Sequence, residues 1–525
     1  NGVFCIFGTC ERAVLRAIHG GTGEELWTLD KAFDGSIGFA GGVSVALGDV
    51  TRDGRLDIVA LTGESHVAII QGDGTVEDVS DVPFADPYPQ GTAWGGALAL
   101  GDMDRDGWSE VAYSSAVWTT KDKTVTRLFK NEDGSFGGMS LSSSLSFFAD
   151  VTGDADPELI VGNRVINKAG STVWTSAATG DGFAAVADLD KNGSPEVVVV
   201  ADGKVTVIQG SDGAQWMPPY SLGGTGHGGS PTIADFDGDT FPEIGIAQQQ
   251  VYLMLKPNLT TMELEGVWSA PNHDLSSSVT GSTVFDFEGD GSAEVVYNDE
   301  CYVWVYDGKT GAVKWATPTK SFTATESSIV ADVDGDGHAE ILVIGNGVRN
   351  EDPGGGGIEW DCTDDGYLIA DPVTGRPAWE PDSMGRMWTG LRLFRDIANS
   401  WVNTRALWNQ HAYSVSNVCD PSDSACAPTG LYGEIPTNAQ KNWTLPWLNN
   451  FRQNVQDQGV FNAADALVSL SVTCTQLPVL TVAVRNGGTA ILPAGISVSV
   501  FRVVDGKEEL VAEATTERVI YPGGS

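Results

Sequence analysis

One nine-residue pattern, Asp-x-[Asp/Glu/Thr]-x-[Asp/Asn]-x-x-x-[Asp/Glu], recurs seven times in this chain, and no other feature restricts the fold as much. The copies begin at Asp49, Asp102, Asp150, Asp188, Asp235, Asp286 and Asp332, at intervals of 53, 48, 38, 47, 51 and 46 residues. A period of about 40–50 residues is that of one four-stranded propeller blade. A short apolar run precedes each copy, and a run rich in β-branched residues follows it, such as DIVAL, ELIVG and EVVVV. Such runs suit buried strands. Several units then show a turn and a Trp strand, at 20–27, 167–174, 211–216, 307–315 and 371–379. These read as outer hairpins. Strand, acidic loop, strand and hairpin make one blade. A ring of such blades buries their faces and leaves no long open edge. The predicted fold is all-β, a seven-bladed propeller. A further hairpin near 366–396 leaves room for an eighth, loopless blade.

The spacing within the pattern is that of a cation cage. Alternate side chains of a tight loop point to its inside, so positions 1, 3, 5 and 9 offer side-chain oxygens. The carbonyl of position 7 can add another, and calcium takes six to eight oxygens. The candidate sets are Asp49, Thr51, Asp53, Arg55 and Asp57; Asp102, Asp104, Asp106, Trp108 and Glu110; Asp150, Thr152, Asp154, Asp156 and Glu158. They continue with Asp188, Asp190, Asn192, Ser194 and Glu196; Asp235, Asp237, Asp239, Phe241 and Glu243. The last two are Asp286, Glu288, Asp290, Ser292 and Glu294; and Asp332, Asp334, Asp336, His338 and Glu340. Gly at position 6 permits the bend in five loops; Ala155 and Thr240 stand there in the third and fifth, which are expected to be the emptiest. Positions 1, 3, 5 and 9 of the loops hold 25 of the 70 acidic residues. So many carboxylates within single turns repel one another without a cation. Five to seven calcium ions are expected; magnesium prefers to keep several waters.

These loops and their flanking strands resemble FG-GAP (integrin-α-like) repeats over residues 41–345. The resemblance implies structural calcium on one face of a seven-bladed propeller, with ligands bound elsewhere, often on the opposite face. The stretch 401–454 resembles a segment that follows such repeats in bacterial surface proteins. From 467 the sequence is similar to CARDB-type, Ig-like adhesion modules. The expected division is a propeller over 1–400 closed by both termini, an aromatic and Asn-rich cap or connector over 401–466, and an incomplete β-sandwich over 467–525. A sandwich strand supplied by a neighbouring molecule would give homo-assembly.

The net charge of -40 excludes nucleic acid and anionic membranes as natural partners. No apolar run is long enough to insert into a membrane. The chain opens at Asn1, without Met, which reads as a processed or trimmed product. Of seven cysteines, the spacing suggests local bridges Cys5–Cys10 and Cys419–Cys426, and hence an oxidising compartment. No HExxH, GxSxG or phosphate-binding loop occurs, and GGTGHGG at 223–229 reads as a plain loop. His411 reads as a packed histidine, and most of the 16 Trp as blade-packing residues. No catalytic residue is assigned. The sequence reads as a secreted bacterial, extracellular or cell-surface propeller for adhesion, protein interaction or surface assembly, with a protein or glycan ligand at a propeller face. The alternative is a carbohydrate-active protein, either a lectin or a polysaccharide lyase.

Overall fold

The computed structural model describes residues 13–30, 38–84, 95–134, 136–138, 143–224, 226–275, 278–321, 323–325, 327–345, 362, 366–380, 390–420, 432–437, 441–455, 466–474, 478–486, 495–504, 506–516 and 520. Its main body is a ring of seven antiparallel sheets, six four-stranded and one three-stranded. Each four-stranded sheet is a meander in chain order. Short inner strands, such as Ala46–Gly48 and Ala99–Gly101, lie beside their counterparts in neighbouring blades. The second strands are mostly buried, and Glu196–Ala201 is buried along its whole length. That explains their β-branched composition, since blades cover both faces.

The hairpin Leu15–Ile18 and Glu25–Leu29 sits between the last acidic loop and the first blade. Its turn at Gly20 lies against the Val333 carbonyl, and the Trp27 indole donates to the Gly72 carbonyl at 3.0 Å. Trp174 and Trp268 donate in the same way to Gly210 and Gly308, so these three Trp tie their hairpins to the next blade. The stretch that left room for an eighth blade is divided. Gly390–Phe394 is the third strand of the seventh sheet, and Trp379 packs on the sixth blade, donating to the Cys301 and Thr319 carbonyls.

A Cys301–Cys362 disulfide pins that segment, a pairing the local-spacing argument did not foresee. The two cysteines are 61 residues apart, and only the fold brings them together. Below it Tyr367 covers His273 at 4.1 Å, and His273 meets the buried Glu300 at 3.4 Å. Cys419 is disulfide-bonded; Cys426, its expected partner, lies outside the described residues, as do Cys5 and Cys10.

The described residues of 401–420, 432–437 and 441–455 fill the centre of the ring on the acidic-loop side. They reach the inner strand or acidic loop of every blade, although the partners lie up to 384 residues away, as Asp49 and Gly433 do. The Gln410 side chain accepts from Leu100 N–H at 2.6 Å and donates to the Leu100 carbonyl at 3.4 Å. Asn449 does the same for Asp188, at 3.0 and 2.7 Å. Phe451 bridges Ile233, Arg452 donates to the Ser282 carbonyl, and Asn454 donates to the Val330 carbonyl. Asp49 and Asp332 N–H donate to the Gly433 and Arg405 carbonyls, Leu47 N–H donates to Asn409, and Phe147 packs on Phe451. An inner strand has one free edge, and a carboxamide offers a donor and an acceptor spaced to pair with it. The Asn-rich composition of this stretch follows from that task.

Beyond the ring are two hairpins, Ala466–Cys474 with Pro478–Asn486, and Ser497–Val504 with Lys507–Thr515. Apolar side chains of both, including Val482, Val484, Val498 and Val500, line a cavity of about 580 Å³. Among the described residues these are two separate two-stranded sheets.

Candidate metal centres

Each acidic loop joins the first and second strands of its blade, and the same hydrogen bonds shape all seven. The position 1 carboxylate accepts from the N–H of position 6, as in Gly107 N to Asp102 Oδ2 at 2.9 Å and Gly193 N to Asp188 Oδ2 at 2.7 Å. The position 5 side chain accepts from the N–H of position 7, the residues being Arg55, Trp108, Asp156, Ser194, Phe241, Ser292 and His338. In six loops the position 9 glutamate accepts the N–H of position 2 through Oε2, as Glu110 does from Met103 at 2.7 Å and Glu340 from Val333 at 2.8 Å. In the first loop the shorter Asp57 reaches Thr51 N–H instead.

The backbone needed for this was only partly legible. All seven position 6 residues adopt positive φ, from +76° to +92°, and Ala155 and Thr240 do so despite their side chains. The third and fifth loops therefore keep the common shape. Position 4 is also left-handed in every loop, and it is Arg52, Arg105 and Lys191 in three of them. Glycine stands there in the other four, as Gly153, Gly238, Gly289 and Gly335.

Ligand atoms of Asp102, Asp104 and Glu110 lie within 4.8 Å of one another, as do those of Asp150, Asp154 and Glu158, of Asp188, Asp190 and Glu196, and of Asp286, Glu288 and Glu294. In the fifth loop the set is Asp235, Asp237 and Asp239. Asp102 Oδ1, Glu110 Oε1 and Glu340 Oε1 are buried and have no hydrogen-bond partner. Burial, and then neighbouring carboxylates, push Glu110 and Glu196 up to about 8, and Glu340 to about 7. Buried anionic oxygens crowded in this way fit a hard cation. Protein cations also enter some loops. Lys121 binds Asp106, Lys441 binds Asp150, Lys314 binds Glu288 and Glu294, and Lys256 sits among the acids of the fifth loop.

With this geometry in view, the comparisons with known proteins are informative. The FG-GAP-like repeat family matches residues 49–113, 188–246 and 286–343. Three segments of the chain are thus similar to FG-GAP-like repeats. Those segments span the first two, the fourth and fifth, and the last two acidic loops. No curated protein matches the chain by sequence. Among solved structures, the V. cholerae biofilm matrix protein Bap1 is 18% identical, with a TM-score of 0.60 over 84% of this chain and 89% of that one. A Bacillus licheniformis rhamnogalacturonan lyase is 16% identical, with a TM-score of 0.43 over 65% of this chain and 64% of that one. The likeness to Bap1 is one of fold.

Proposed function

We propose that this chain is an extracellular, calcium-stabilised propeller that serves as an adhesion, protein-interaction or surface-assembly module. The observation that carries the metal assignment is the repeated cage, in which the buried Glu110 Oε1 and Glu340 Oε1 lack any hydrogen-bond partner. The calcium sets are those of the acidic loops other than the fifth, where Lys256 sits among the carboxylates. The disulfide supports an oxidising compartment. No helix among the described residues is long and apolar enough to cross a membrane. Bap1, similar in fold over most of both chains, is a biofilm matrix protein, which favours a matrix or surface role here too. Residues 1–400 form the propeller unit, 401–466 its central plug, and 467–525 a separate β module that offers apolar strands for assembly. A rigid ring closed by a plug presents loops and turns to a protein or glycan without needing to move.

The test is calcium counting by native mass spectrometry, with thermal melting and binding to a glycan array and to cell-surface extracts. Several calcium ions, a melting point many degrees lower in chelator, and binding without turnover would support the reading. A metal-free protein whose melting is indifferent to chelator would sink the calcium assignment. Cleavage of an arrayed polysaccharide would replace the binding role with an enzymatic one.

A further inference from the structure

The fifth loop has the same four carboxylates as the second, but a side chain from its own blade occupies its centre. Lys256 Nζ lies 2.5 Å from Asp237 Oδ2, 2.7 Å from Asp239 Oδ2 and 2.9 Å from Glu243 Oε1. These are the oxygens of positions 3, 5 and 9. Calcium would sit about 2.3–2.6 Å from the same three atoms. An ammonium and a calcium ion cannot share that point.

The register explains why this happens here. Ile244 pairs with Leu255, so the next step places Lys256 across from Glu243. In the first, second and fourth blades the residue across from position 9 is neutral: Gln71, Thr119 and Gln209. In the seventh, the pairing of Ile341 with Phe394 places Arg395 there, but its side chain is 61% exposed and meets only Asp334 among the loop acids. A second lysine also leans on the fifth loop. Lys191 of the fourth loop donates to Thr240 Oγ1 at 2.7 Å and lies over the Phe241 ring at 4.2 Å.

We propose that Lys256 is the permanent, tethered counter-ion of the fifth loop, so that this blade is closed without a metal ion while loops with no lysine at their centre use calcium. The register that supplies the lysine also holds its stem against the second strand, so no ion has to be captured for the loop to close. Only the stoichiometric part of the test rests on calcium in the other loops.

Two measurements decide it. The first counts calcium on the wild type, Lys256→Met and Asp237→Asn by native mass spectrometry. The expected result is one more calcium on Lys256→Met and no loss on Asp237→Asn. A loss of one ion on Asp237→Asn, or no gain on a folded Lys256→Met, would overturn the proposal. The second needs no variant. Lys256 acetylation by acetic anhydride is followed by peptide mass spectrometry, in chelator and in excess calcium. Lys256 should stay at least tenfold slower than exposed lysines in both. Labelling that rises on calcium addition means that the ion displaces the ammonium, and the proposal fails. A wild type without calcium would end the calcium reading, and the labelling result would still decide the role of Lys256.

Discussion

Ala155 and Thr240 hold φ values of +79° and +76° where the other loops use glycine. A Cβ in the left-handed region costs about 1–2 kcal/mol, partly offset by the greater freedom of glycine in the unfolded chain. Ala155→Gly should therefore stabilise the protein by about 0.5–1 kcal/mol in urea denaturation with chelator present. A loss of stability would show that the third loop is not strained. Glu110 gives a sharper contrast. Its Oε2 is used by Met103, while its buried Oε1 has no partner. Glu110→Gln keeps the shape and removes a charge from beside Asp102 and Asp104. Metal-free protein should melt at the same or a higher temperature, and the rise on adding calcium should shrink. If both states lose stability equally, the carboxylate is holding the fold and not a cation.

At the scale of elements, the ring depends on a segment remote from it in sequence. Gln410 satisfies both backbone groups of Leu100 on an inner strand, and Asn449 those of Asp188 at the start of the fourth loop. A buried group left unpaired costs about 1–3 kcal/mol. Asn449→Leu or Gln410→Leu should thus cost about 2–4 kcal/mol by equilibrium denaturation, while Val373→Ala, on a side chain that is 92% exposed, should cost nothing measurable. Equal, small effects would mean that the plug sits on the ring without sealing it. Here the limit of sequence reading is physical. Blades and loops were legible because their residues interact within one repeat, through alternation and loop spacing. The amide contacts of Gln410 and Asn449, the Cys301–Cys362 bond and the place of Lys256 depend on what the ring brings together. Asn-rich composition marked the 401–454 stretch as distinctive, but it cannot name partners 261 or 310 residues away. The alternating strands after 467 were equally plain. Their expected sandwich packing depends on contacts between sheets, which strand alternation does not specify.

For the whole molecule, the loops act together through pH. Burial pushes Glu110, Glu196 and Glu294 up to about 8, and Glu158, Glu243 and Glu340 up to about 7. Asp57 and Asp102 are pushed up to about 6. Each folded value lies above the unfolded one, so the folded, metal-free protein binds protons more tightly. The contribution of these groups is fully present below their unfolded values near pH 4 and is lost as pH rises through about 6 to 8. Metal-free protein should therefore melt at its highest temperature on the acidic side and lose several degrees between pH 5 and pH 8.5. Calcium binds the ionised form, so it should remove most of that slope, and its affinity should rise with pH. His273 leaves a smaller slope of the same sign. Burial acts to lower its value, but Glu300 and Asp299 raise it overall, and its contribution is also lost as pH rises. Melting curves from pH 5 to pH 8.5, with chelator and with calcium, separate the two. A metal-free protein that gains stability across that range would mean that the loop acids are already paired as anions, and the cages would then need no cation.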